Sequence, residues 1–157
     1  MTLRSLIPAA WLAVAALPAW GQDAFDACEV FTVEDAAIAL GTTAAPEPVN
    51  PKVRRPKVVT SCTYTAFKDG KPVAATVNFK ISRNENEIQR AFDDYRLQYQ
   101  TKPMLISGSD AFWSAKTGQM NVRKGRLWMT LSVGGAKQVE RDPEPAKKLA
   151  LVLVKKL

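Results

Sequence analysis

Apolar positions spaced three and four residues apart predict three amphipathic helices. Their apolar stripes are Val33, Ala36, Ala37 and Leu40 in the first helix, Ile88, Ala91, Phe92, Tyr95 and Tyr99 in the second, and Ala146, Leu149, Ala150, Leu153 and Leu157 in the third. Residues typical of helix ends flank them: Thr32 with Asp35 and Gly41 around the first, Ser82 or Asn84 before the second, and Asp142 with Pro143 before the third. Each helix therefore has one face to bury.

Between the helices, alternating apolar and polar residues predict about five β-strands. The clearest pair is VVTSCTYTAF and PVAATVNFKI, which the turn KDGK joins into a hairpin. Shorter candidates follow around MLISG, AFWSAKTGQMNVRK and RLWMTLSVGG, with a tight turn at Lys124-Gly125 before the last. In that last strand Leu127, Met129, Leu131 and Val133 form the inward row, while Trp128, Thr130 and Ser132 point the other way.

The predicted order of elements is α-β-β-α-β-β-β-α. Because hairpins dominate the connections, we expect one mostly antiparallel sheet packed with three helices, an α+β fold. Residues 42–56 contain four prolines and no periodicity, so we predict a loop or an irregular edge segment there.

The first 21 residues have the organisation of a cleaved secretory signal peptide. Arg4 precedes the apolar run LIPAAWLAVAAL, and the small residues Ala19 and Gly21 stand three and one positions ahead of a cut before Gln22. The run is too short to span a bilayer, although an uncleaved anchor is the alternative. We therefore expect a periplasmic or secreted single domain, residues 22–157, without a transmembrane segment.

The chain is basic, with 22 Lys and Arg residues against 15 Asp and Glu residues and a net charge of +7. Removal of the signal peptide takes away one arginine and leaves +6. This excess favours anionic partners such as a membrane surface, an acidic protein or a polyanion. Lys52, Arg54, Arg55 and Lys57 form a local cluster that is either an anion-binding patch or a solvated loop.

Cys28 and Cys62 are the two cysteines of the chain. A lipid anchor requires a cysteine directly after the signal's apolar core, yet QDAFDA intervenes. Metal binding and nucleophilic catalysis both lack partners, because the chain contains no histidine. In an oxidising compartment two such cysteines pair, so we predict a structural disulfide between them.

The usual constellations of catalytic residues are missing from the sequence. Without histidine there is no Ser-His-Asp triad, and no glycine-rich phosphate loop is present. Asp93 and Asp94 lie on a predicted helix, and a position on its solvated face explains them better than a catalytic pair does. Asp110, in the turn SGSDAFW, is a candidate acid, with capping of backbone amides as the alternative. We expect neither an enzyme nor a metal or cofactor site.

Trp128 is the strongest candidate for a binding anchor. It points away from the inward row of its strand, close to Arg123, Lys124 and Arg126, and Trp and Arg dominate binding hot spots. We predict that these residues, together with Arg54 and Arg55, contact a partner. The alternative is that a helix covers this face and makes Trp128 part of the core.

The order of these motifs resembles a group of known proteins. CEVFTVEDAAIALG, then CTY, an amphipathic helix, ISGSDAFW, a hairpin and a closing helix are similar to small exported domains of uncharacterised bacterial families with a PsbP-like sandwich. Many of those are lipoproteins, whereas this chain has no cysteine at the cleavage site. The resemblance implies the fold and a binding role, and no functional residue.

Two functions remain in competition. The leading hypothesis is a non-enzymatic exported domain that binds a protein or an anionic envelope component, as an inhibitor, immunity protein or ligand carrier would. The alternative is a hydrolase that acts on a cell-wall or glycan substrate through two carboxylates about 5–10 Å apart. Nucleic acid is not expected as a partner, because export removes the usual target.

Overall fold

The computed structural model describes residues 26–41 and 59–157, together with the backbone of a short strand at residues 47–49. The predicted signal peptide and the basic cluster around Arg54 and Arg55 lie outside the described residues. None of the described helices combines the length and apolar character needed to cross a membrane.

The strands form one antiparallel sheet in the order β1-β2-β3-β7-β6-β5-β4. They span Glu47–Val49 (β1), Val59–Lys68 (β2), Lys71–Ile81 (β3), Thr101–Pro103 (β4), Asp110–Ser114 (β5), Gln119–Lys124 (β6) and Leu127–Gly134 (β7). The prediction of an α+β fold with a mostly antiparallel sheet is confirmed.

The sheet has two more strands than the five expected, for local reasons. The stretch AFWSAKTGQMNVRK is a hairpin, since Gly118 adopts a positive φ of 61° and reverses the chain between β5 and β6. The edge strand β1 falls within the proline-rich segment, where three residues are too few to show alternation. The strand expected around MLISG lies just ahead of that stretch: β4 ends at Pro103, and the chain turns back at Gly108, which has a φ of 68°.

The helices span Ala27–Val30 (α1), Val33–Leu40 (α2), Glu85–Gln98 (α3) and Pro143–Lys156 (α4), with a 3₁₀ turn at Gln138–Glu140. The three predicted helices are α2, α3 and α4, and α1 is an additional short turn. Thr32 and Asp35 form the expected capping box, and Gly41 ends α2 in the left-handed conformation. Asn84 is the N-cap of α3, and Asp142 is that of α4.

Helices cover both sides of the sheet, but unequally. On one side α1, α2 and α4 bury the main core, whose members from the sheet include Cys62, Val77 and Leu131. On the other side α3 lies alone and buries Ile88 and Phe92. Because side chains alternate along each strand, the residues between the core positions face the side of α3.

Two connections tie the N-terminal helices to the rest of the domain. Cys28 and Cys62 form a disulfide with sulfurs 2.10 Å apart, as predicted, and so join α1 to β2. The Nζ of Lys156, at the end of α4, donates to the carboxylate of Asp35 and to the carbonyl oxygen of Val30. Residues 126 positions apart are thereby held together.

Candidate binding surface

Nine residues on the α3 side of β2, β3 and β7 form what we call the polar face. They are Ser61, Thr63, Thr65, Ala74, Thr76, Asn78, Lys80, Thr130 and Ser132, and each is partly or fully exposed. Strand pairing places them in rows across the sheet: Thr63 lies opposite Thr76, and Thr76 lies opposite Ser132. Apart from Ala74, the polar face therefore consists of hydroxyl and amide groups with one lysine and no acidic residue.

Several of these side chains have no hydrogen-bond partner in the part of the chain that the structure describes. Thr63 and Thr76 bond each other at 3.0 Å, and Thr130 donates to the Oδ1 of Asn121. No hydrogen bond to another described residue is made by the side chains of Ser61, Thr65, Asn78 and Ser132. Because hydroxyl and amide groups both donate and accept, this surface is ready to exchange hydrogen bonds with a polar partner.

Helix α3 covers the other half of this side of the sheet through large aromatic rings. Phe92 packs on Phe112 and on Trp128 with ring centroids 4.8 and 5.7 Å apart, and Tyr95 contacts Trp128 edge-on at 5.5 Å. The Tyr95 hydroxyl also donates to the side-chain oxygen of Gln119. α3 is therefore anchored over β5, β6 and β7 and leaves the polar face uncovered.

Trp128 is placed beneath α3 rather than in the open. Its indole Nε1 donates to Oδ1 of Asn121 at 3.1 Å, and Asn121 is fully buried. The expectation of a solvent-facing aromatic platform therefore needs correction: Trp128 does point away from the main core, but a second layer covers it. A contact between Trp128 and a partner stays a prediction.

Arg123 is engaged within the protein. Its side chain is 12% exposed and forms ion pairs with Asp110 of β5 and with Glu85 in the first turn of α3. It also donates to the carbonyl oxygen of Gly125. This arginine therefore links α3 to β5 and β6 and is not a free cation. The sequence suggested a backbone cap for Asp110, but its partner is Arg123.

The remaining predicted cations differ in position. Lys124 points to the side of α4, where its Nζ donates to the carbonyl oxygen of Val154 at 3.1 Å. Arg126 is exposed and forms no ion pair with any described residue, and its carbonyl oxygen accepts from the amide of Ser82 just beyond β3. Lys80, at the end of the polar face, lies 5.5 Å above the Trp128 ring. Lys80 therefore provides positive charge at one end of that face, and the backbone of Arg126 lies beside the same end.

Acidic side chains of α1 and α2 are concentrated on the opposite side of the sheet. Burial, and then the carboxylates of Glu34, Asp26 and Asp35, raise the pKa of the Tyr64 phenol above its usual value. Tyr64 points into the main core, away from the polar face. The carboxylates around Tyr64 therefore lie on the side of the sheet opposite the polar face.

Sequence reasoning missed two features of this surface. It did not identify β2 as a row of exposed hydroxyls, although the alternation in TSCTYT carries that signal. It also missed the Glu85–Arg123–Asp110 cluster, whose members lie up to 38 residues apart. Within the described ranges, no group of three or more Cys, Asp or Glu residues could hold a metal ion.

Comparison with protein-family models, with curated proteins and with solved structures finds no match to this chain. The resemblance to PsbP-like domains stays a prediction. The case for a binding surface consequently depends on the geometry of the chain's own residues.

Proposed function

We propose that this protein is an exported, non-enzymatic domain that binds an anionic envelope component through the polar face. The observation that carries the proposal is the acid-free row of partly exposed polar groups that ends at Lys80 and Arg126. The disulfide supports export, because such bonds persist in oxidising compartments outside the cytosol. The cleaved signal peptide and the periplasmic or secreted location belong to the same proposal.

Electrostatics gives this surface its preference for anions. A guanidinium group without an internal carboxylate partner is free to bind a carboxylate or phosphate in a bidentate manner. The polar face itself carries no acid, and the carboxylates beside its cationic end, Glu85 and Glu87, are bonded to Arg123 and Ser82. The positive net charge of the chain adds a longer-range attraction that weakens as ionic strength rises.

The test is a pull-down from envelope extract with immobilised residues 22–157, compared with two double variants. Lys80→Gln/Arg126→Gln removes the cations of the proposed surface. Lys148→Gln/Lys155→Gln removes two exposed lysines of α4, on the opposite side of the sheet, and is matched in charge. We expect the first variant to lose the bound component and the control to retain it. Equal retention by both variants would exclude this surface.

The competing proposal, a carboxylate-based hydrolase, has one observation in its favour. Asp110 and Glu85 both contact Arg123 and are therefore near each other. Their side chains are 55% and 61% exposed, so they lie on the surface. Release of reducing sugars from envelope glycans by the wild-type protein, and its loss in Asp110→Asn, would support this function over the binding role.

A further inference from the structure

We infer that the partner of the polar face is an extended anionic polysaccharide that lies along β2, β3 and β7. The inference rests on the proposed function and names its class of ligand. Three properties of the surface support it: free hydroxyl and amide groups, an exposed aromatic ring at one end, and cations at the other.

The hydrogen-bonding groups are arranged as a regular array. Neighbouring strands lie about 4.8 Å apart, and residues on the same side of a strand lie about 7 Å apart. Ser61, Thr65, Asn78 and Ser132 therefore present free donors and acceptors at intervals in two directions. A chain of sugars carries hydroxyl groups on every ring, so it is able to satisfy such an array over its whole length.

An aromatic residue extends the array beyond Thr65. Phe67 is 74% exposed and follows Thr65 by two positions, so both side chains leave β2 on the same side. The apolar face of a sugar ring stacks on such a ring and removes it from water. From Val59 to Phe67 the strand offers a track of about 27 Å, long enough for several sugars.

The charges select an acidic glycan over a neutral one. Lys80 and Arg126 lie at the end of the track opposite Phe67, where β3 ends and β7 begins. A uronic acid carboxylate placed there would meet a guanidinium group that has no ion-pair partner among the described residues. The polar face itself carries no acid, and the nearby carboxylates of Glu85 and Glu87 are engaged by Arg123 and Ser82.

The same surface is poorly suited to a protein partner. Protein interfaces obtain most of their affinity from a desolvated centre of aromatic and aliphatic anchors inside a polar rim. Here the centre consists of Thr63, Thr76, Asn78 and Ser132, and the exposed phenyl ring lies at the edge. A hydrated, hydroxyl-rich polymer matches that distribution better.

The experiment measures fluorescence anisotropy of three end-labelled probes of similar length with residues 22–157: oligogalacturonate, oligoglucose and polyglutamate. Oligogalacturonate has both sugar rings and carboxylates, whereas each of the others lacks one of the two. We expect binding of oligogalacturonate at least about tenfold tighter than of either other probe, since hydrogen bonds and charge both contribute.

Variants separate the hydroxyl array from charge. Thr65→Val/Ser132→Ala removes two free hydroxyls and should weaken oligogalacturonate binding about tenfold, with polyglutamate binding unchanged. Phe67→Ala should weaken oligogalacturonate binding by a similar factor. Ser107→Ala, in an exposed loop, is the matched control and should have no effect. Melting temperatures equal to that of the wild type show that each variant is folded.

The possible outcomes separate this inference from the proposed function. Equal affinity for oligogalacturonate and polyglutamate would overturn the glycan inference while leaving an anion-binding domain. Equal affinity for oligogalacturonate and oligoglucose would overturn the acidic character of the ligand. Absence of binding to all three probes would overturn the inference outright, and the pull-down would then decide the proposed function by itself.

Discussion

Replacing Trp128 with alanine should mainly destabilise the fold and leave binding by the polar face intact. The indole packs edge-on against Phe92 and Tyr95, and its N–H donates a hydrogen bond to the side-chain oxygen of the buried Asn121. Truncation would remove one of the two large aromatic surfaces on which α3 rests and leave Phe112 as the other.

The magnitude follows from these contacts. Truncation of a buried Trp or Phe to alanine costs about 3–5 kcal/mol, and Trp128 is only partly buried, which lowers the figure. Two aromatic pairs contribute about 0.5–1.5 kcal/mol each beyond simple burial. Loss of one hydrogen bond to Asn121 adds about 1 kcal/mol. We expect a loss of about 3 kcal/mol in the free energy of unfolding, or about 12 °C in melting temperature for a domain of this size.

The assay is urea unfolding followed by circular dichroism, together with anisotropy of the oligogalacturonate probe below the transition. Trp128→Phe keeps an aromatic ring but lacks the N–H group, so it should lose about 1 kcal/mol, mostly through the missing hydrogen bond. Both variants should bind the probe with wild-type affinity in their folded state. A stability change below about 1 kcal/mol in Trp128→Ala, combined with lost binding, would show that the indole contacts the partner and that α3 does not depend on it.

Four further predictions concern the rest of the chain. Cys62→Ser should lower the free energy of unfolding by about 3–4 kcal/mol in the loop-entropy picture, and non-reducing peptide mapping of the wild type should yield one cross-linked pair instead of two free thiols. Lys156→Met leaves the nearly buried Asp35 carboxylate without its cation and should cost about 1–2 kcal/mol in urea unfolding, whereas an unchanged midpoint would contradict this role. Because burial raises the pKa of Tyr64 in the folded state, its contribution to stability is complete below pH 10.0 and is lost as pH rises through the raised pKa; Tyr64→Phe should flatten this alkaline decline. Intact mass of the exported protein should correspond to a chain that begins at Gln22 without an acyl group, and retained leader residues would refute the proposed cleavage.

Local chemistry allowed much of the fold to be predicted from the sequence. The ends of α2 are such a case. Thr32 and Asp35 accept hydrogen bonds from free backbone amides at its start, and Gly41 ends it in the left-handed conformation. The β2–β3 hairpin is another, since Asp69 and Gly70 adopt the positive φ angles that the turn requires. The disulfide followed from composition, because the two cysteines of a chain that is expected to be exported have one intramolecular pairing.

Only the tertiary structure shows which residues on the second side of the sheet are covered by a helix. Alternation along β7 shows that Trp128 leaves the sheet opposite the main core, but it carries no information about a second layer above it. That layer is α3, which begins at Glu85, and its position depends on contacts with rings and charges from β5, β6 and β7. The same placement joins Arg123 to acids far away in sequence and leaves the polar face bare. Side-chain direction is a local property of the backbone, whereas exposure depends on which distant element packs above it.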